Sequence, residues 1–185
     1  MTLYEFLLFV HIAAAVVWVG GGSMIQIFGL RVLAANDPNR LAQFGGDVER
    51  IGNRALVPAS LIALLSGFAL VWESEFWTIG DDWIVIGLIL FAVTFLSGAG
   101  FFGPESGRIK KLIETEGVDA AQGRIRRLLM LTRIDLIVLF LLIFDMSVKP
   151  SFSDGWTIVG ALLVAVALAL AFTAPAFRAR PSEAI

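Results

Sequence analysis

Cysteine is absent from the 185 residues, and histidine occurs once, at His11. The first absence excludes disulfides, thiolate metal sites and a cysteine nucleophile. The second excludes a four-ligand zinc site and a self-contained bis-histidine haem. Charge is scarce as well: 16% of residues are Asp, Glu, Lys or Arg, whereas soluble domains run near a quarter. Basic residues are missing from Met1–Glu5, where a cleaved signal peptide would need them. The first apolar run is therefore read as a retained helix. No internal repeat or low-complexity tract is visible.

What is present is hydrocarbon. Hydrophobic residues make up 58% of the chain, gathered into five runs: Leu3 to Val32, Ala55 to Trp72, Trp83 to Phe102, Leu128 to Val148 and Trp156 to Phe177. Each is long enough to cross about 30 Å of lipid. The expected fold is an all-α membrane protein with five transmembrane helices, a four-helix bundle plus one peripheral carboxy-terminal helix. Residues 1–150 form the core with two cytoplasmic amphipathic segments. Residues 151–185 supply the fifth helix and a short tail. A soluble enzyme, a disordered chain and a nucleic-acid binder are excluded.

Orientation follows from Lys and Arg. Of the 14 basic residues, 12 fall at the end of the first run (Arg31), between the first and second runs, between the third and fourth, or in the tail; Arg133 lies deeper inside a run and Lys149 stands alone on the other side. Cytoplasmic loops carry such an excess. The amino terminus is expected outside and the carboxy terminus inside, in a bacterial cytoplasmic membrane. The opposite loops are acidic (Glu73, Glu75, Asp81, Asp82, Asp154), and Trp72, Trp77, Trp83 and Trp156 suit an outer aromatic belt.

On the basic side, Asp37-Pro38 reads as a helix cap with proline in the first turn. Leu41, Phe44, Val48 and Ile51 then make one apolar stripe, and Ile109, Leu112 and Ile113 a shorter one that should stop at Gly117. Such helices lie on the inner membrane surface, extend the spans, or dock a partner.

Polar residues in the spans are few, and each is a functional candidate because lipid offers it no partner. His11 shares a helix face with Ala14, Ala15, Trp18, Gly21 and Gly22. That arrangement suits either a ligand to haem iron or copper, with room for a flat macrocycle, or a histidine bonded across a helix interface. In the fourth run stand Arg133, Asp135 and Asp145. Arg133 is expected to snorkel to the cytoplasmic surface, and Asp135 to pair with Arg54 by depth. Asp145, level with Glu5, either binds a cation, shares a proton or, the favoured reading, is hydrated at the interface. Ser66-Gly67 and Ser97–Gly100 offer close helix approach. The stretch from Gly160 to Phe172 has no polar side chain.

The segment Phe9-Val10-His11-Ile12-Ala13-Ala14-Ala15-Val16-Val17-Trp18-Val19-Gly20-Gly21 resembles the opening helix of the copper-resistance-D-like superfamily of bacterial membrane proteins. The Gly98–Pro104 exit and the basic Arg108–Leu112 helix fit an uncharacterised branch of it. The likeness extends over about residues 1–150. The related HemJ-type protoporphyrinogen oxidases imply a haem ligand at His11. That branch carries a lysine near the start of its third helix, and Trp83–Gly87 has none. Copper-transporting members use further histidines and methionines; here Met24, Met130 and Met146 lie in the runs.

Three functions remain open on these residues. One is a haem b- or copper-binding redox protein with His11 as ligand and Trp18, Gly21 and Gly22 beside the cofactor. Another is an accessory subunit without its own cofactor, packed with the lipid bilayer, its own copies or other membrane subunits. The third is a transporter or proton conductor using Arg133, Asp135 and Asp145, although no inverted repeat supports it.

Overall fold

Two prolines shape the architecture. Pro58 and Pro104 each follow a glycine by six residues, at Gly52 and Gly98. A proline in a helix cannot donate to the carbonyl four residues back and clashes with it. Here the helix widens by one residue per turn instead of breaking. Val57 N–H reaches Gly52 O, and Gly103 N–H reaches Gly98 O, each closing a π-turn. Two long helical rods result, each bearing an amphipathic arm.

The structure, a computed structural model, describes residues 1–35 and 37–178, with side chains except at 33, 38, 42 and 172–178. Tail residue Arg180 lies outside the described residues, as does the side chain of Arg178. Every regular element described is helical: α1 (Leu3–Ala35), α2 (Pro38–Ile51), α3 (Val57–Glu73), α4 (Asp82–Ser97), α5 (Gly103–Glu116), α6 (Val118–Val148) and α7 (Gly155–Arg178). The π-turn Gly52–Leu56 joins α2 to α3, and Gly98–Phe102 joins α4 to α5.

Among the described residues, three segments are long and apolar enough to cross a membrane: Leu3–Val32, Asn39–Glu73 and Asp82–Glu116. Helix α6 is long enough at 31 residues but carries Arg133, Asp135 and Asp145 in its apolar half. Helix α7 contributes the apolar stretch Gly155–Ala171. Helix α1 packs on α3 and α6, α4 packs on α6, and α7 leans on α6. That is the expected bundle with a peripheral last helix. Its outward surface is hydrocarbon: Phe9, Val16, Leu65, Leu96, Leu163 and Leu170 are all exposed, as lipid contact requires and water would punish.

The inner seams use small residues. Ala59, Ala63 and Ser66 are buried along one face of α3, and Ile84, Gly87 and Thr94 along α4. At the basic end, a second cluster joins Leu41 of α2, Ile109 of α5, and Ala121, Ile125 and Leu129 of α6. The two amphipathic arms thus extend their spans and turn Leu41 and Ile109 onto the first turns of α6, while Phe44 and Val48 are half-buried and Ile51 is exposed. Lys110 and Glu49 add an ion pair between the arms at 3.8 Å, and Arg124 reaches Glu105 at 3.0 Å. These exposed pairs contribute little beside the apolar cluster.

Candidate functional site

His11 is held at the α1–α3 seam. Its Nδ1 lies 2.8 Å from the carbonyl oxygen of Ala63. A carbonyl can only accept, so Nδ1 carries the proton and Nε2 is the acceptor nitrogen. The Ser66 hydroxyl, 3.4 Å from Nδ1, donates to the Ile62 carbonyl at 2.6 Å. Gly67 makes room for the ring, since a Cβ there would stand 3.2 Å from His11 Cε1.

Further along α1, neighbouring helices cover the expected cofactor face. A side chain at Gly21 would strike Leu56, and one at Gly22 would touch Leu139. Trp18 meets Phe91 of α4 edge-on, with centroids 5.3 Å apart. Ala14 is buried. Among the described residues, no group of three or more His, Cys, Asp or Glu side chains is placed to hold a metal. Met24 is exposed, and Met146 packs toward Gly87, so neither gathers at the histidine.

A second polar seam runs between α4 and α6, which lie antiparallel. Ser97 Oγ is 2.6 Å from Asp135 Oδ1 and 2.9 Å from the Thr94 carbonyl. This geometry serves both states of the acid. An ionised Asp135 accepts the serine proton; a neutral Asp135 donates to Ser97 Oγ, which then donates to Thr94 O. The partner expected from depth, Arg54, is instead exposed in the first π-turn. Depth along a helix does not fix azimuth, and Arg54 points elsewhere.

Ten residues along both helices, Asp145 faces Gly87. It is only 2% exposed, and neither carboxylate oxygen has a hydrogen-bond partner. The expectation of a hydrated interfacial acid is corrected: Gly87, with no side chain, lets α6 come close enough to seal the carboxyl in. A Cβ on Gly87 would lie 2.9 Å from Asp145 Oδ2. Glu5 is exposed and accepts from Thr2 N–H at 2.8 Å, so it does not share a site with Asp145.

The end of this seam is capped by aromatics that sequence reading placed only in a belt. Trp77 and Trp83 meet edge-to-face at 5.3 Å, and the Lys149 ammonium stands 4.3 Å and 5.0 Å from their centroids. Lys149 is turned there by a left-handed backbone at φ 54°. The indole N–H of Trp83 is buried and without an acceptor. The loop is tied down by Asp82, which accepts from Ser151 Oγ at 2.7 Å and from Phe152 N–H at 2.9 Å. Arg133, on another face of α6, is half-buried in a groove wall beside α1 and α7. The two π-turns were not read from the sequence; the Gly-x5-Pro spacing shared by Gly52–Pro58 and Gly98–Pro104 could have located them.

Residues 5–150 match the model of a family described as predicted integral membrane protein (DUF2269). Neither a curated protein nor a solved structure matches the chain.

Proposed function

Because the chain belongs to this family of integral membrane proteins, its enclosed acids carry the functional reading, and we propose that it is a proton-handling membrane protein in which Asp145 binds the proton. One observation carries this: Asp145 is sealed at the α4–α6 seam with both carboxyl oxygens unpartnered. An ionised carboxylate in such a place costs several kcal/mol. In this proposal Asp145 holds the proton while enclosed and gives it up when water reaches the seam. Trp77, Trp83 and Lys149 stand at that end of the seam. When the cap opens, Lys149 supplies a positive charge beside the leaving proton. Asp135 and Ser97 form a second station about 15 Å further along α6 at 1.5 Å per residue. The basic bias of the loops puts Asp145 toward the outside of a bacterial inner membrane and Asp135 toward the cytoplasm.

The test is infrared difference spectroscopy of the reconstituted protein, paired with proton flux in proteoliposomes. The parent protein should show a protonated carboxyl band at neutral pH that Asp145→Asn removes. Asp145→Asn should also abolish flux. An unchanged band would overturn the assignment, and an accessory subunit would show no flux in either form.

A second reading keeps the notion of a redox cofactor, and the His11–Ala63 bond favours it. Metal-binding histidines commonly donate one ring N–H to a carbonyl, which fixes the other nitrogen as ligand. This reading accompanies the resemblance to the copper-resistance-D-like superfamily. The donor set suits one axial ligand to haem b and does not suit copper, which needs several soft or imidazole ligands. Leu56 stands close against Gly21 and Leu139 lies at contact distance from Gly22, so a macrocycle on that face would have to displace Leu56. An absorption spectrum of the purified protein decides it: a Soret band lost in His11→Ala supports haem, and its absence from the parent rejects it.

A further inference from the structure

Buried polar atoms are almost always bonded, so those that are not call for an account. Three of them lie toward one end of the α4–α6 seam: both carboxyl oxygens of Asp145 and the indole Nε1 of Trp83. The indole nitrogen can only donate, and an ionised carboxylate can only accept. Each lacks what the other offers.

The helix register sets them one turn apart. Gly87 faces Asp145, and Trp83 precedes Gly87 by four residues on the same face of α4. Lys149 follows Asp145 by four on α6, and its ammonium lies 5.0 Å from the Trp83 ring centroid. Four residues rise about 6 Å. One water spans about that distance, since each of its two hydrogen bonds is roughly 2.8–3.0 Å long.

The acids at this end are engaged elsewhere or exposed. Asp81 accepts from Thr78 N–H at 2.9 Å, Asp82 from Ser151 Oγ at 2.7 Å, and Asp154 from Ser151 N–H at 3.0 Å. Glu5, on α1, accepts from Thr2 N–H, and Glu73 and Glu75 are exposed. The Lys149 ammonium is turned to the faces of Trp77 and Trp83. At this end of the seam, among the described residues, Trp83 Nε1–H is the buried donor without an acceptor.

We infer that Trp83 is the positioning residue for proton release from Asp145. The Asp145 O–H bond breaks, the proton passes to entering water, and the electron pair stays on the carboxylate. A second water then accepts from Trp83 Nε1–H and donates to that carboxylate, which polarises the chain of bonds toward the ion. A phenyl ring would also fill the cap and face Lys149, so the N–H is what distinguishes tryptophan here. The role presupposes that Asp145 is the proton-binding group proposed above.

The experiment is NMR of the full chain in detergent, isotope-labelled at the tryptophan indole nitrogens, beside infrared spectra of the same samples. The Trp83 resonance is the one that Trp83→Phe removes. As pH rises it should move in step with the loss of the Asp145 carboxyl band, and in Asp145→Asn it should stay in place. Proton flux in proteoliposomes should fall about tenfold in Trp83→Phe, as the loss of one hydrogen bond to a charged group implies. Trp77→Phe alters the same cap but leaves that N–H in place, so it should lower flux less. A Trp83 resonance that stays still while the band disappears overturns the inference and leaves Asp145 as the proton-binding group. Equal flux losses in Trp77→Phe and Trp83→Phe overturn it too, by assigning the effect to packing of the cap. A parent without the band overturns the role of Asp145 and with it that of Trp83.

Discussion

Ser97 and Asp135 face each other across α4 and α6 with 2.6 Å between hydroxyl and carboxyl oxygens. Gly87 and Asp145 repeat that facing ten residues along both helices, with nothing to bond the acid. The seam thus holds one satisfied acid and one unsatisfied acid in a single antiparallel register. The difference lies wholly on α4, where a serine stands at one level and a glycine at the other.

Ser97→Ala should destabilise the protein by about 1–3 kcal/mol, because it leaves a buried carboxyl without its partner. Asp135→Asn, which can still bond Ser97, should cost less. Thermal unfolding in detergent reads both. A Ser97→Ala melt equal to the parent's would mean that Asp135 is not anchored by this hydroxyl.

Gly87→Ala should cost about 1–3 kcal/mol by overpacking, because the new methyl would meet the Met146 Cε methyl and stand 2.9 Å from Asp145 Oδ2. In the Asp145→Ala background the same change should cost less, since only the flexible end of Met146 must then move. Additive losses in the double variant would show that Gly87 is not what seals Asp145.

These relationships mark where the sequence was legible and where it stopped. Hydropathy gave the spans, since lipid imposes length and composition directly. The cap at Asp37 appears as expected, accepting from Asn39 and Arg40 N–H groups, and Gly117 ends α5 with φ 90°. That Asp135 needs a partner was also legible. Its identity was not, because spacing gives depth along one helix and says nothing of which neighbour faces it. Asp145 looked accessible by depth, and only the glycine opposite shows otherwise. The stripe of Leu41 and Ile109 was ambiguous for a related reason: lipid and a partner helix demand the same periodicity.

His11→Ala should lower stability by only about 1 kcal/mol. The Ala63 carbonyl keeps its place in the α3 ladder, and the loss is one cross-helix bond beside Gly67. Chemical unfolding with the infrared carboxyl band as a second readout separates this from the α4–α6 seam. A loss of that band in His11→Ala would tie the two seams together.

Reporter fusions should place Glu75 and Asp154 on one side of the membrane and Lys110 on the other. Lys110 belongs to the basic end through its pair with Glu49, and Asp154 caps the loop before α7 by accepting from Ser151 N–H at 3.0 Å. The basic bias predicts Lys110 inside. An inside signal at Glu75 would invert the orientation and with it the side from which Asp145 receives its proton.

Ala121 has no exposed surface at all and sits among Leu41, Ile109, Ile125 and Leu129. Ala121→Leu forces a branched side chain into that space and should cost about 1–3 kcal/mol. The effect should be local, because this cluster lies at the basic end and joins the arms α2 and α5 to α6. Limited trypsin digestion in detergent reads it. Cleavage after Arg108, Lys110 and Lys111 should accelerate several-fold in the variant, while the spans stay protected and the Asp145 carboxyl band is unchanged. Leu41→Ala should act in the same direction by leaving a cavity. If cleavage at these sites does not change in either variant, the arms are fixed by continuity through the π-turns alone, and the apolar cluster contributes nothing to holding them.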